Sequence, residues 1–402
     1  MIAVVHHPAY VANGQAANPS QLSKNAAIRD LLRTHGSAID WHEPEPMPLH
    51  WLEATHDPAY VAEVLEARVP REKERRIGFA VTPSVAARAQ VVPAGTWLAA
   101  RLALERGFAA NSAGGSHHAL AETGAGYCVF NDLAIAAVRL IEEGDVARVL
   151  IVDCDVHQGD GTAALTAGRP GIATYSIHAE KNFPARKARS SLDVPLADGI
   201  GDAAYLATLE ATLLPLIRDY RPDLILYQAG IDPLAGDTLG RLALTTEGLV
   251  ARDRFIAEAA ATRGIALAST VGGGYGDDVR ALGIAPPWLE MADRMDAFRP
   301  GFLCELGEFD IAHPAPQDQP RSLRAQSGIE AFEAVMQPPT RRAAHRIMFR
   351  RVVIEDVDRD HRPILDRSEQ GGLVGEPQVA AQPEKNGIGQ AQPHKRTGAA
   401  PL

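Results

Sequence analysis

The chain is poor in cysteine, has no excess of basic charge and contains no long apolar run. Its 402 residues include only Cys128, Cys154 and Cys304, whose spacing makes neither a disulfide framework nor a Cys-x-x-Cys metal site. The formal net charge of −10 argues against nucleic acid or an anionic membrane surface as a partner. Because the N-terminus lacks the basic start of a signal peptide and no run is long enough to span a bilayer, we expect a cytoplasmic protein.

Short β-branched runs alternate with longer helical patterns from the N-terminus to about residue 283. The predicted strands are residues 2–6, 39–42, 108–111, 149–155, 172–178, 224–232 and 266–271. The predicted helices are residues 25–32, 58–67, 86–104, 133–143, 202–220 and 246–262. This alternation indicates crossover units, so we predict a three-layer α/β fold with a mostly parallel central sheet between helices. Ligand sites in such sheets lie beyond the carboxyl ends of the strands.

The pattern divides the chain into one predicted domain, residues 1–285, and two following segments. Repeated prolines break residues 286–365, which we interpret as an irregular C-terminal extension with one candidate strand at 350–357. Residues 366–402 are rich in Gly, Gln, Pro, Glu and Lys and are predicted to be a disordered tail. We therefore expect the chemistry to lie within residues 1–283.

The most informative motif is Asp153-x-Asp155-x-His157, which directly follows a buried apolar run. The three residues follow the period of two that puts side chains on one face of a strand. Asp and Gly also gather at strand ends as turn residues, which explains Asp160-Gly161 but not this spacing. Two carboxylates and an imidazole on one face predict a metal site.

Two further strand ends carry polar residues. His117 and His118 follow Gly114-Gly115. Two adjacent histidines after a glycine pair belong either to a surface turn or to a catalytic pair, in which one imidazole is the general base and the other the general acid. Asp232 follows the predicted strand 224–232, and an aspartate there is commonly a turn residue. If that strand end lies beside the first motif, Asp155, His157 and Asp232 supply three metal ligands. A fourth position stays open for water, as in catalytic zinc sites.

Two glycine-flanked tyrosines complete the set of candidates. Tyr275 follows Gly272-Gly273-Gly274, which lacks the spacing of a phosphate-binding loop and instead favours a phenol that stabilises an oxyanion. Tyr127 follows Gly126 and precedes a helix that Asn131 or Asp132 caps. Its ring either belongs to the core or lines a pocket wall.

Taken together, these motifs resemble the histone deacetylase superfamily. The ordered set is Gly-Gly-Ser-His-His, Gly-Tyr-Cys-Val-Phe-Asn-Asp, Val-Asp-Cys-Asp-Val-His-Gln-Gly-Asp-Gly-Thr, Tyr-Ser-Ile-His, Ala-Gly-Ile-Asp-Pro and Gly-Gly-Gly-Tyr. It covers about residues 1–283 and is closest to the bacterial and class IV-like branch. The resemblance implies an arginase/deacetylase-like fold and a zinc-dependent amidohydrolase. Such an enzyme removes acetyl or another acyl group from lysine side chains or a related acylated amine.

The same resemblance implies a role for each matching residue. It gives Asp155, His157 and Asp232 as ligands of one zinc ion, and His117 and His118 as the proton-handling pair with Asp153 and Asp160 as their partners. It gives Tyr275 as the residue that polarises the carbonyl, and Gly126, Tyr127, Phe183 and Leu239 as substrate-binding residues. It gives Asp153, Asp155, His157, Ser176 and Ile177 as a potassium site. In this mechanism neutral His118 takes a proton from water, and a protonated imidazole gives one to the leaving amine.

Three rivals remain at this stage. Two-manganese ureohydrolases share the fold, but Gly159 and Gly230 stand where the extra ligands of a second metal are expected. Polyamine-selective deacetylases carry a glutamate at the pocket mouth, where Leu239 stands here, so an acyl-lysine or neutral acylated amine is favoured. A binding protein with a dead site is disfavoured because all the expected catalytic residues are present. Residues 78–84 offer no rim aspartate to grip a peptide backbone, and the sequence predicts no oligomeric state.

Overall fold

Eight parallel strands form one sheet, and helices cover both of its faces. The computed structural model describes residues 1–11, 19–34 and 39–275. The predicted extension and tail, including the candidate strand at 350–357, lie outside the described residues. The strands follow the order β2-β1-β3-β8-β7-β4-β5-β6 across the sheet. The predicted three-layer α/β architecture is confirmed, and within the described residues every strand pair is parallel.

The bounds of the elements are as follows. The strands are β1 (Ile2–Val5), β2 (Ile39–His42), β3 (Phe108–Asn111), β4 (Val149–Asp153), β5 (Ile172–Ala179), β6 (Leu192–Leu196), β7 (Leu224–Gln228) and β8 (Ala266–Thr270). The helices are α1 (Pro19–Thr34), α2 (Leu49–Glu53), α3 (Pro58–Leu65), α4 (Arg71–Ile77), α5 (Pro83–Arg106), α6 (Asp132–Glu142), α7 (Asp160–Thr166), α8 (Asp202–Tyr220) and α9 (Thr246–Ala261), with a 3₁₀ turn at Pro8–Tyr10.

The sheet is buried on both faces because alternate residues of each strand enter different cores. In β4, Leu150 and Val152 belong to the core that α1, α8 and α9 cover. Val149 and Ile151 belong to the core beneath α5 and α6. Full burial of each such side chain contributes about 1.5–3 kcal/mol. The continuous apolar run of β4 is therefore the signature of a strand inside a parallel sheet.

Two strand ends differ from the prediction. The predicted strand 149–155 ends at Asp153, and the predicted strand 224–232 ends at Gln228. Asp153 Oδ1 accepts a hydrogen bond from the amide of Asp155 (3.1 Å), and Asp155 Oδ1 accepts one from the amide of His157 (3.0 Å). These local bonds replace the strand ladder. The expectation that Asp153, Asp155 and His157 share one strand face is therefore wrong, since a loop carries the last two.

Four short elements escaped the sequence patterns. Edge strand β6 contains Pro195, which an edge tolerates because one side of the strand needs no ladder hydrogen bond. Helix α4 reads Arg-Glu-Lys-Glu-Arg-Arg-Ile and has no apolar stripe, while α2 and α7 are only five and seven residues long. Apolar periodicity cannot identify helices of this length or polarity.

Topology brings the candidate residues together. Strands β3, β8, β7 and β4 are consecutive neighbours in the sheet, so their carboxyl ends form one continuous edge. His117 and His118 follow β3, and Tyr275 follows β8. Asp232 follows β7, and the Asp155–His157 loop follows β4. The edge that parallel sheets use for ligands therefore collects every motif singled out from the sequence.

Candidate metal centre and active site

Asp155, His157 and Asp232 form a buried triad beyond β4 and β7. One ligand atom from each lies within 4.8 Å of the other two, which among the described residues makes them a group able to hold a metal ion. Nδ1 of His157 faces both carboxylates, at 2.9 Å from Asp155 Oδ1 and 3.2 Å from Asp232 Oδ2. The side chains of the three residues are at most 8% exposed. The structure thus brings together the three predicted ligands.

The two buried carboxylates of this triad carry negative charge that a bound cation would neutralise. Burial, and next the negative charge of Asp155, raise the pKa of Asp232 to about 7. Asp232 Oδ2 is buried and has no hydrogen-bond partner among the described residues, although His157 lies close to it. A Cβ atom on Gly273 would overlap Asp232 Oδ2, so the glycine leaves this side of the triad free. Two carboxylates and one imidazole are a donor set that suits zinc.

Gln228 holds the triad from the end of β7. Its amide nitrogen donates to Asp155 Oδ2 at 2.7 Å, and its carbonyl oxygen accepts from the amide of Gly230 at 2.7 Å. The amide of Gly273 donates to the same Asp155 oxygen at 2.9 Å. Sequence reasoning gave Gln228 no role. Its contacts orient a predicted metal ligand, as partners of metal ligands commonly do.

Arg252 hydrogen-bonds the two loops that follow β4 and β7 and carry the candidate metal ligands. It is 0% exposed, and its Nη1 donates to the main-chain carbonyls of Gly230 (2.6 Å) and Cys154 (3.3 Å). Its Nε donates to Asp253, which also accepts a hydrogen bond from Tyr227. Cys154 directly precedes Asp155. Sequence reasoning missed Arg252, since a charged residue in helix α9 reads as solvent-facing unless its burial is known.

The tandem histidines each pair with the carboxylate predicted for them. His117 Nδ1 lies 2.6 Å from Asp153 Oδ2, and His118 Nδ1 lies 2.7 Å from Asp160 Oδ1. Burial lowers the pKa of His117, but the charges of Asp153 and Asp155 outweigh it and raise that pKa to about 9. Burial and the charge of His117 lower the pKa of His118 to about 4. The two imidazoles therefore differ in their protonation at neutral pH.

Asp237 positions Tyr275 at the end of β8. One Asp237 oxygen accepts from the amide of Tyr275 at 2.7 Å, and the other accepts from the amides of Leu239 and Gly240. The Tyr275 ring centroid lies 6.3 Å from that of His157. A buried Lys24 donates to the carbonyl of Gly272 at 2.8 Å. The glycine run thus carries the phenol ring to the triad, as predicted, and Asp237 and Lys24 are supports that the sequence patterns did not reveal.

An open cavity of about 340 Å³ leads to the triad. His118, His157 and Tyr275 line its deep end, and Tyr127, Phe183 and Leu239 line it further out. The rings of His118 and Phe183 meet edge to face at 4.8 Å, and those of Tyr127 and Tyr275 lie 5.7 Å apart. Gly126 has φ +51°, and a Cβ there would lie 2.6 Å from the His118 ring. The structure therefore brings the predicted substrate-binding residues together around one cavity.

The two positions that lack second-metal ligands have no room for a side chain. A Cβ on Gly159 would overlap Asp153 Oδ2, and a Cβ on Gly230 would lie 2.9 Å from Asp155 Cγ. Asp153 is already bonded to His117. A dinuclear site of the ureohydrolase kind would therefore require rearrangement of both neighbouring carboxylates.

Comparison with known proteins agrees with this geometry. A sequence profile of the histone deacetylase domain matches residues 3–286. The chain belongs to the histone deacetylase family. An uncharacterized protein of Picosynechococcus sp. is 40% identical over 281 residues, which are 69% of this chain and 94% of that protein. The resemblance that the motifs indicated is confirmed.

Relatives with functional names match over shorter segments. Histone deacetylase 2 of Arabidopsis thaliana is 35% identical over 184 residues, 45% of this chain and 48% of its own length. The histone deacetylase-like amidohydrolase of Pseudomonas aeruginosa is 32% identical over 155 residues, 36% of this chain and 41% of its own. The chain thus spans less than half the length of either relative. The crystal structure of the HDA15 HD domain shares the fold, with a TM-score of 0.61 at 18% identity, over 75% of this chain and 92% of that one.

Membership in the histone deacetylase family makes the protein an amidohydrolase of that family with a buried Asp-His-Asp candidate metal site. The potassium site stays a prediction. Its candidate Asp153 lies on β4 and pairs with Ser176 of β5, while Asp155 and His157 lie on the loop after β4, and Ser176 Oγ lies 3.0 Å from His178 Nδ1. A search of the described residues finds no helix long and apolar enough to cross a membrane.

Proposed function

We propose that this histone deacetylase family protein is a zinc-dependent deacylase that removes acetyl or another acyl group from a lysine side chain or a related neutral acylated amine. One observation carries the proposal. His157 of the triad, His118 and Tyr275 line a single cavity, and directly behind them Asp155 and Asp232 contact His157 while the His117 ring lies 4.0 Å from that of His118. A zinc ion held by Asp155, His157 and Asp232 would polarise the amide carbonyl and acidify a water molecule.

His118 is suited to act as the general base. Asp160 accepts from Nδ1, which leaves Nε2 with its lone pair free to take a proton. Its lowered pKa keeps the ring neutral at pH 7. His117, with its raised pKa and its bond to Asp153, supplies a positive imidazolium beside it. Water oxygen bonds to the acyl carbon, the C–N bond breaks, and an imidazole proton passes to the leaving amine.

Tyr275 and the cavity walls complete the reaction site. The Tyr275 phenol remains protonated, since burial raises its pKa well above the usual value, so it donates a hydrogen bond to the developing oxyanion. Tyr127 and Phe183 offer apolar surfaces to an aliphatic chain between them. The products are a carboxylate and a free amine.

Polyamine deacetylation receives less support from the cavity. Leu239 stands 41% exposed at its outer part, and no carboxylate lines it among the described residues. A cationic chain would therefore find no counter-charge there.

The test is acetate release by the purified, zinc-loaded full chain from acetyl-lysine peptides, acetylpolyamines and longer acyl-lysines. We expect turnover of the acyl-lysines and little of the polyamines. Tyr275→Phe should lose about 100-fold or more in kcat, as other single oxyanion donors do when removed, while keeping its metal. No turnover of any acylated amine, or full activity in Tyr275→Phe, contradicts the proposal.

A further inference from the structure

Two arginines line the outer part of the active-site cavity. Arg75 and Arg76 belong to the last turn of α4, and both are exposed. They line the same cavity as His118, His157 and Tyr275, which are buried or nearly so at its deep end. The arginines therefore flank the entrance rather than the reaction site.

Main-chain hydrogen bonds fix this turn to the cavity wall. The amide of Gly126 donates to the carbonyl of Arg76 at 3.0 Å, and the amide of Tyr127 donates to the carbonyl of Ile77 at 2.7 Å. A Cβ on Gly78 would lie 2.8 Å from the Tyr127 ring, so the helix end and the ring are in close contact. The position of the two arginines beside the entrance is thus set by the same segment that carries Tyr127.

Two of the neighbouring acidic groups are occupied elsewhere, and the exposed Glu72 of the same helix forms no ion pair with Arg75 or Arg76 in the described ranges. Glu74 of the same helix accepts a hydrogen bond from the amide of Val81 at 2.9 Å, and Glu63 pairs with Lys73 at 2.6 Å. Within residues 39–275 and the other described ranges, neither the Arg75 nor the Arg76 guanidinium has a hydrogen-bond or ion-pair partner.

Lys187 does not line this cavity, but it donates to the main-chain carbonyls of Asn182 and Phe183, which do. A basic residue at a helix C-terminus also stabilises the helix dipole, by about 0.3–1 kcal/mol. This stabilisation of the helix does not depend on whether the basic residue lines a cavity. The entrance is thus positive on a chain whose net charge is −10.

We propose that Arg75 and Arg76 bind a carboxylate that the substrate carries on the amine side of its amide bond. The inference rests on the proposed function, because the acyl carbonyl must lie at the triad and the aliphatic chain must then leave past Tyr127 and Phe183. The part of the substrate that reaches the arginines is the part attached beyond the amine. Its carboxylate is either the α-carboxylate of a small acylated amino acid or an acidic side chain that flanks an acyl-lysine in a peptide.

The experiment compares kcat/KM of the zinc-loaded full chain on matched acetyl-lysine peptides flanked by Glu, Gln or Lys. A second arm compares free Nε-acetyl-lysine with its carboxamide. We expect kcat/KM to be highest for the Glu-flanked peptide, lower for the Gln-flanked peptide and lowest for the Lys-flanked peptide. The highest and lowest values should differ about three- to tenfold at low salt and less at high salt, as for exposed ion pairs. A gain in the peptide arm alone identifies an acidic peptide, and a gain in the free amino acid arm alone identifies a small molecule.

Arg75→Gln and Arg76→Gln should each reduce this preference, and the double variant should abolish it. Arg71→Gln is the matched control, since Arg71 is exposed on the same helix but does not line the cavity. Hydrolysis of the Gln-flanked peptide by Arg71→Gln should stay within about twofold of wild type, because surface substitutions away from the reacting groups change little. A preference for Lys-flanked peptides, or a Glu preference that survives in the double variant, overturns the inference.

Binding separates this inference from the proposed function. Affinities of the same peptides for zinc-loaded Tyr275→Phe, measured by fluorescence anisotropy, should follow the same order without turnover. If the wild-type protein hydrolyses no peptide, the proposed function fails, while the binding order still supports or overturns the role of the arginines.

Discussion

On the inner side of the metal triad, the supporting side chains are buried and hydrogen-bonded to the loops that carry the ligands, whereas the side chains on the outer side are exposed. Gln228 and Arg252 make up the inner side, with four hydrogen bonds of 2.6–3.3 Å to residues of the ligand loops. Phe183 and Leu239 on the outer side are 42% and 41% exposed. The inner side thus fixes the geometry of the reaction, and the outer side is free to select the substrate.

This difference predicts two kinds of response to substitution. Inner changes should alter metal affinity, kcat and folding stability together, because buried polar groups left unpaired destabilise the fold. Outer changes should alter substrate choice with little effect on stability.

Asp232→Asn should remove zinc from the protein and reduce acyl-lysine hydrolysis by about a thousandfold or more, since Lewis-acid stabilisation is worth several kcal/mol. The reason is that one of two anionic ligands becomes neutral. Mass spectrometry measures the zinc content of the variant, and acetate release measures its activity. Asp198→Asn is the matched control, because Asp198 pairs with Arg241 at the surface. Retention of one tightly bound zinc in Asp232→Asn would show that the triad is not the metal site.

Gly230→Ala should weaken zinc binding about 10- to 100-fold, as changes in the support of a metal ligand do. The new methyl group would press on the Asp155 carboxylate, and such overpacking should also cost about 1–3 kcal/mol in the free energy of unfolding. Competition with a zinc chelator and urea unfolding measure the two effects. Gly201→Ala is the control, since its Cβ would meet only the Ala243 carbonyl, at 3.6 Å. If the two variants bind zinc and unfold alike, the inner side of the triad accommodates the added methyl group.

Arg252→Lys should lower the free energy of unfolding by about 1–3 kcal/mol and weaken zinc binding up to about tenfold. A lysine keeps the charge but cannot bond Asp253 and the carbonyls of Cys154 and Gly230 with the same planar geometry. Cobalt substitution gives a spectrum that reports ligand geometry, and it should change in this variant. Arg263→Lys is the matched control, since Arg263 is exposed just after α9. This change should leave the free energy of unfolding and the cobalt spectrum unchanged. An unchanged cobalt spectrum in Arg252→Lys would confine its role to stability.

Leu239→Glu should change the free energy of unfolding by no more than about 0.5 kcal/mol, because the side chain is exposed. It should raise kcat/KM for acetylpolyamines about two- to fivefold relative to acetyl-lysine peptides, the range of one exposed ion pair. Leu239→Gln separates the effect of charge from that of polarity. If the glutamate and glutamine variants select substrates alike, charge at the outer side does not govern choice.

The sequence predicted the outline of the site well because its motifs are local. Asp155, His157, the tandem histidines and Tyr275 each stand within a few residues of a recognisable strand end. Parallel topology then places those ends side by side. The potassium candidates Asp153 and Ser176, which the family resemblance implied, lie on paired strands.

Long-range supports could not be predicted in this way. Arg252 lies 98 residues from Cys154 and 22 from Gly230, and no periodic pattern marks such a contact. The predicted ends of β4 and β7 lie beyond the observed ones because side chains at both strand ends bond their own loops. Asp153 and Asp155 accept from amides of the loop after β4, and Gln228 accepts from the amide of Gly230 after β7. That competition depends on the backbone conformation and cannot be inferred from residue type alone.

The most direct test of a single-metal hydrolase is a zinc titration of the metal-free full chain with acetate release measured at each point. Activity should rise linearly and saturate at one zinc per chain, and Gly159 and Gly230 should prevent a second catalytic ion. Activity that needs two metal ions per chain, or guanidino hydrolysis in place of deacylation, would contradict the account.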